Sequence, residues 1–100
     1  MSSLILADYY EIMKELITAI LFVDGYKTLN HTDLIEYISN KYKELNKNDI
    51  NILNNIRILR HKVSYEGYKA PSSYLERNEE DFKMIINKLK EILNEKINNW

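Results

Sequence analysis

Cysteine is absent from this 100-residue chain, proline occurs once and glycine twice. Without cysteine there is no disulfide, no thiolate nucleophile and no cysteine-ligated zinc. With so few backbone breakers, long regular elements are expected. Histidine is nearly as scarce. His31 and His61 are separated by a helix and lack an acidic motif at ligand spacing, so neither a metal site nor a cofactor is expected. Long apolar runs are missing as well. Leu16 to Val23 is too short to cross a bilayer, and Asp8, Glu11, Lys14 and Glu15 precede it on the same predicted helix. No basic leader, small-residue cleavage site or lipidation motif stands at either end, so a cytoplasmic protein without a membrane partner is expected.

What is present is an ordinary apolar fraction, rich in Ile and Leu, with a net charge of −1. That near-neutral total hides a segregation. Residues 1–40 carry six acids and two bases, residues 41–71 three acids and seven bases, and residues 72–100 six acids and five bases. A charge run is ordinarily a solvated face. Here it coincides with two of the three arginines, Arg57 and Arg60, so an anionic partner competes with that reading. A guanidinium presents a planar fork matched to phosphate or carboxylate, which the eleven lysines cannot offer.

Apolar spacing divides the chain into four helices. The first is expected from about Ser3 to Val23, with Leu6, Tyr9, Tyr10, Met13, Leu16, Ile17 and Ile20 inward and Asp24-Gly25 as its stop. The second, capped by Asn30 or Thr32, buries Leu34, Ile35, Ile38, Tyr42 and Leu45 and ends near Asn46; His31 reads as a capping or loop residue. The third is capped by Asn48 or Asp49. The fourth starts at Ser73 through the box Ser73-x-x-Glu76, or at Asn78, and repeats Phe82, Ile85, Ile86, Leu89, Ile92, Leu93 and Ile97. Glu79, Glu80 and Asp81 read as first-turn acids favoured by the helix dipole rather than as metal ligands. No alternating strand pattern or repeat appears. The expectation is one domain over residues 1–100, all-α, an antiparallel four-helix up-down bundle. So small a domain gains stability by dimerising.

In the third helix the ridge Ile52, Ile56, Leu59, Val63 predicts the core face. At about 100° per residue, Arg57, His61 and Ser64 fall nearly opposite, flanked by Arg60 and Tyr65, with Leu53 on the same outer face. An exposed leucine beside arginines predicts contact with another chain.

The block Ile56-Arg57-Ile58-Leu59-Arg60-His61-Lys62-Val63-Ser64-Tyr65-Glu66-Gly67-Tyr68 resembles the signature of the HEPN domains, helical bundles that bind nucleotides or cleave RNA. Gly25-Tyr26-Lys27-Thr28-Leu29-Asn30-His31 and the helix beginning Asp33-Leu34-Ile35-Glu36-Tyr37 are similar to the family's first connection and second helix. The resemblance implies a homodimer whose third helices form one composite cleft. It implies a catalytic set of Arg60, His61 and Tyr65, and Arg57, Arg60 and Lys62 on phosphate or nucleotide. Active members follow the arginine with a polar residue and place a histidine after four to six intervening residues; here His61 takes the polar place and Tyr65, after four intervening residues, stands where histidine is expected. Pairing Arg57 with His61 leaves only three residues between them. The family's cleavage needs no metal: a ribose 2′-hydroxyl attacks the adjacent phosphate, arginine stabilises the developing charge and histidine moves protons.

The resemblance also implies a toxin-antitoxin or defence setting with a minimal nucleotidyltransferase as partner, which in some pairs adenylylates a tyrosine after the motif; Tyr65 and Tyr68 are the candidates. The ordinary role of such tyrosines is packing near a glycine turn, and for Tyr65 packing is favoured. Two other readings stay open. The chain acts as a noncatalytic scaffold for the transferase, or its arginines form ion pairs across a dimer interface with Glu66 or Asp49.

Overall fold

In the computed structural model the described residues are 2–27 and 31–99, the side chains of His31 and Thr32 excepted. The expected cap Asn30 lies outside them, whereas His31 and Thr32 are the first two residues of the second helix, so His31 is helical rather than a loop residue and Thr32 lies inside the helix rather than capping it. The chain forms four helices, α1 Ser2–Val23, α2 His31–Lys41, α3 Lys47–Tyr65 and α4 Ser72–Asn98, and no strand among the described residues. The all-α four-helix bundle is therefore what this sequence makes.

α1 is the centre of the fold and packs on the other three helices. It buries Leu6, Tyr10, Met13, Ile17, Ile20 and Leu21. Its end is set by Gly25, which at φ +90° takes the left-handed conformation that lets the Gly25 and Tyr26 amides bond back to the carbonyls of Phe22 and Leu21.

Helix directions depart from strict up-down alternation. Tyr9 donates to Glu79 at 2.6 Å near the starts of α1 and α4, and Lys96 meets Asp24 at 2.5 Å near their ends, so these two run parallel. α3 runs against both: Leu53 lies with Met13 and Ile17, while the more C-terminal Arg57 and Arg60 act on Tyr10. α2 starts beside the middle of α1 and finishes at Asp24. The seven residues between Val23 and His31 permit this, since they can reach about 23 Å and need to return only about 10 Å along α1.

The join between α2 and α3 corrects two expected boundaries. α2 stops at Lys41, although Tyr42 and Leu45 are buried beyond it as expected. Asn46, not Asn48 or Asp49, caps α3. Its Oδ1 accepts from the Asp49 amide at 2.8 Å, and its own amide donates to Asp49 Oδ2 at 3.0 Å. The acid three residues past Asn46 closes the box, which no acid does for Asn48. Asp49 is buried and also takes Lys88 Nζ at 2.6 Å. Asn46→Ala is expected to lower stability by about 1 kcal/mol, read as a shift of the urea midpoint at unchanged slope.

α4 begins at Ser72 behind Pro71, with no side-chain cap, so neither the Ser73–Glu76 box nor a start at Asn78 is realised. Both residues already lie inside the helix, and Asn78 Nδ2 donates to the Tyr74 carbonyl at 2.8 Å. Glu79, Glu80 and Asp81 consequently sit about two turns in, where the dipole has faded, and Glu79 instead accepts from Tyr9. Phe82, Ile85, Ile86, Leu89 and Ile92 are buried, but Ile97 is half exposed. It lies past Lys96, which is level with the end of α1, so no α1 surface is left to cover it.

Beyond that end a polar clasp joins three elements. The Asp24 side chain is only 4% exposed. It accepts from the hydroxyls of Tyr37 at 2.7 Å and Tyr42 at 2.6 Å, and pairs with Lys96 at 2.5 Å and Lys41 at 3.5 Å.

Candidate functional site

α3 is turned about its axis relative to the expected phase. Leu53 is 1% exposed, wedged against Tyr10, Met13, Ile17, Leu34 and Ile35, whereas Leu59 and Val63 are only partly buried. Leu53 was expected on the outer face, and the interface argument drawn from it does not hold. The reason is tertiary: α1 and α2 flank the Leu53 side of the N-terminal half of α3 and draw that side in. The exposed aliphatic side chain of this helix is Ile58.

This rotation carries the arginines inward. Positions 53, 57 and 60 lie on one stripe, so Arg57 and Arg60 continue the stripe that Leu53 begins and are half-buried. Both act on the phenol of Tyr10: burial pushes that phenol up to about 12, while the two guanidinium charges pull it down. The Nε atoms of Arg57 and Arg60 are buried and have no hydrogen-bond partner. Among the described residues no carboxylate forms an ion pair with either guanidinium. Asp49, one of the two acids considered for that role, is taken by Lys88 and by the cap of α3.

His61 and Tyr65 stand on the neighbouring outward sector with ring centroids 4.7 Å apart. Tyr65 is 77% exposed, so the packing role favoured for it is not realised. Tyr68 is exposed as well. Of the expected catalytic set, His61 and Tyr65 are thus together, and Arg60 points to a different side, about 100° and 140° from them around the helix. Arg57, one turn before His61, is its nearer neighbour in phase. Lys62 separates from the arginines altogether. It lines a cleft of about 220 Å³ between α3 and α4, with Asn55, Tyr68, Pro71, Tyr74 and Arg77. Sequence reasoning misses Asn55, Tyr74 and Arg77, because nothing local marks residues that meet only across two helices. A larger cleft, about 390 Å³, adjoins the Asp24 clasp, away from the arginines, and its Asp24 and Lys96 neutralise each other.

A profile of the HEPN domain matches residues 3–100, nearly the whole chain. The chain belongs to the HEPN domain family. No curated protein and no solved structure shows significant similarity to it. Among its described residues no helix is long and apolar enough to cross a membrane, and no group of three or more His, Cys, Asp or Glu is placed to hold a metal ion. For this HEPN chain the residues assembled around α3 are accordingly an arginine pair facing α1, a His61–Tyr65 ring pair facing outward, and a cationic aromatic cleft on the third side.

Proposed function

We propose that this HEPN protein is a toxin-antitoxin or defence component that acts as a homodimer and holds an RNA or nucleotide phosphate on Arg57 and Arg60. One observation carries the reading: two neighbouring arginines, with Nε atoms buried and unpartnered, form no ion pair with a carboxylate among the described residues. Withdrawing a charge from water without a partner is costly, and a phosphate bound through a planar fork offsets that cost. His61, one turn beyond Arg57, carries an imidazole, which can both donate and accept a proton. Together they supply the elements of a metal-independent endoribonuclease, in which a 2′-hydroxyl attacks the adjacent phosphate, a guanidinium stabilises the charge and His61, from one or both protomers, carries the proton. Purified protein in EDTA is expected to cleave RNA, and Arg60→Ala to reduce the rate by about 10²–10³. Absence of cleavage under all conditions would remove the enzymatic part and leave the binding part.

A second reading rests on Tyr65, which stands where the family places histidine. A phenol is a poorer substitute than an imidazole for moving protons. In this reading the chain is a noncatalytic scaffold for a minimal nucleotidyltransferase, and the exposure of Tyr65 and Tyr68 makes both hydroxyls accessible for modification. Tyr65→His separates the two readings. Gain of cleavage marks a decayed nuclease, and unchanged inactivity favours the scaffold.

A further inference from the structure

The cleft between α3 and α4 has features that the arginine site does not use. Its walls are fixed by the fold. Tyr74 is half-buried with its ring 6.2 Å from that of Phe82. Tyr68 follows Gly67, whose φ of +69° turns the chain so that the Tyr68 amide bonds to the Lys62 carbonyl at 3.2 Å. Ala70, just before Pro71, is pinned to α1 by its amide donating to Ser3 Oγ at 3.1 Å. Two aromatic rings, a proline, Ile58 and Leu59 therefore give the cleft an apolar lining, and Asn55 adds an amide with both donors and acceptors.

The charge in this cleft has one sign. Lys62 and Arg77 line it, no acid does, and among the described residues neither cation is paired with a carboxylate. An anion attached to a planar ring is the ligand chemistry that uses all of these groups. At about 220 Å³ the space is smaller than the roughly 300–1,000 Å³ typical of pockets for drug-sized ligands, which limits the occupant to one ring system. An acidic peptide would satisfy the cations but leave the aromatic rings and the Asn55 amide unused.

We propose that this cleft is a subsite for one nucleotide unit, its base against Tyr68 and Tyr74 and its phosphate on Lys62 and Arg77. Such a wall accepts any base, because stacking uses the π-face that all bases share. The subsite includes neither Arg57 nor Arg60 and does not depend on the function proposed for them. Its nucleotide comes either from a free mononucleotide or from an unpaired position in a strand.

The test is a titration of the full ¹⁵N-labelled chain with AMP, with adenosine and with a short unstructured oligoribonucleotide, followed by amide shifts. AMP or the oligonucleotide is expected to move the amides around Tyr68, Tyr74 and Arg77. Tyr68→Ala and Arg77→Gln, both at exposed side chains, are each expected to weaken binding roughly tenfold. Tighter binding by the oligonucleotide assigns the subsite to a strand, and binding by AMP alone assigns it to the free nucleotide. Adenosine binding as tightly as AMP, shifts confined to the surroundings of Arg57 and Arg60, or cleft shifts produced by an acidic peptide and not by AMP would each overturn the proposal.

Discussion

Arg60→Met is expected to make the chain more stable and a poorer RNA binder at once. Arg60 is half-buried, its Nε has no partner, and among the described residues no carboxylate pairs with it. Methionine fills similar space beside Tyr10 without the charge, and replacing buried charges by apolar side chains of like volume is often stabilising. A gain of about 1–2 kcal/mol is expected, which for a domain of this size raises Tm by roughly 4–16 °C. Losing a charge-assisted contact to phosphate costs about 1.5–3 kcal/mol, so RNA affinity at fixed salt falls roughly ten- to hundredfold in fluorescence anisotropy. The dependence of affinity on salt becomes shallower at the same time. Inorganic phosphate, which stabilises the native state in proportion to its occupancy, is expected to raise the Tm of the wild type more than that of the variant. A lower Tm with unchanged RNA affinity would mean that the fold already satisfies Arg60, and the anion site would have to be abandoned.

Asp24→Asn is expected to have the opposite effect on stability and none through RNA contact. Burial alone would raise the Asp24 carboxyl, but hydrogen bonds from Lys96, Tyr42 and Tyr37, with the charge of Lys96, hold it well below the usual carboxylate range. The asparagine keeps the shape and loses the charge, leaving Lys96 without its carboxylate and both hydroxyls with a weaker acceptor. Because Lys96 and Lys41 retain access to water, the cost is about 2–3 kcal/mol rather than that of a fully buried pair. Because the folded pKa lies below the unfolded value near ~3.9, Asp24 contributes its full stabilisation above that pH and loses it as pH falls further. Lys96 is raised by the same contacts, so its share persists below its ordinary pKa near ~10.4 and fades as pH climbs past it. Wild-type stability followed by urea titration is thus expected to be level between about pH 4 and pH 10 and to fall outside that window, with a weaker acid dependence in the variant. An identical acid profile for both proteins would deny the clasp its role.

The inward residues of α1, α2 and α4 are legible in the sequence, because a 3.6-residue period over ten or more residues leaves little choice of buried face. α3 is the exception. Its ridge lies about 100° from the Leu53 stripe, and the inner face falls between them, burying Ile52, Leu53 and Ile56, a turn that only the neighbours α1 and α2 decide. That rotation moves Arg57 and Arg60 from an outer stripe to a half-buried one and leaves His61 and Tyr65 outside. The cap of α3 escapes sequence reasoning for a smaller reason: Asn46, Asn48 and Asp49 offer competing local bonds, and the one realised also satisfies Lys88 from α4.

Sequence alone determined that this chain is helical, that it has four helices with their main apolar faces, and that its third helix carries the HEPN-like run of residues, because these are properties of local spacing and residue type. Tertiary structure decided the parallel course of α1 and α4, the Asp24 clasp, the burial of the arginine pair and the cleft shared by Lys62 and Arg77, because each depends on side chains distant in sequence meeting at one place. Periodicity specifies which residues leave water. Only packing specifies what they meet when they do.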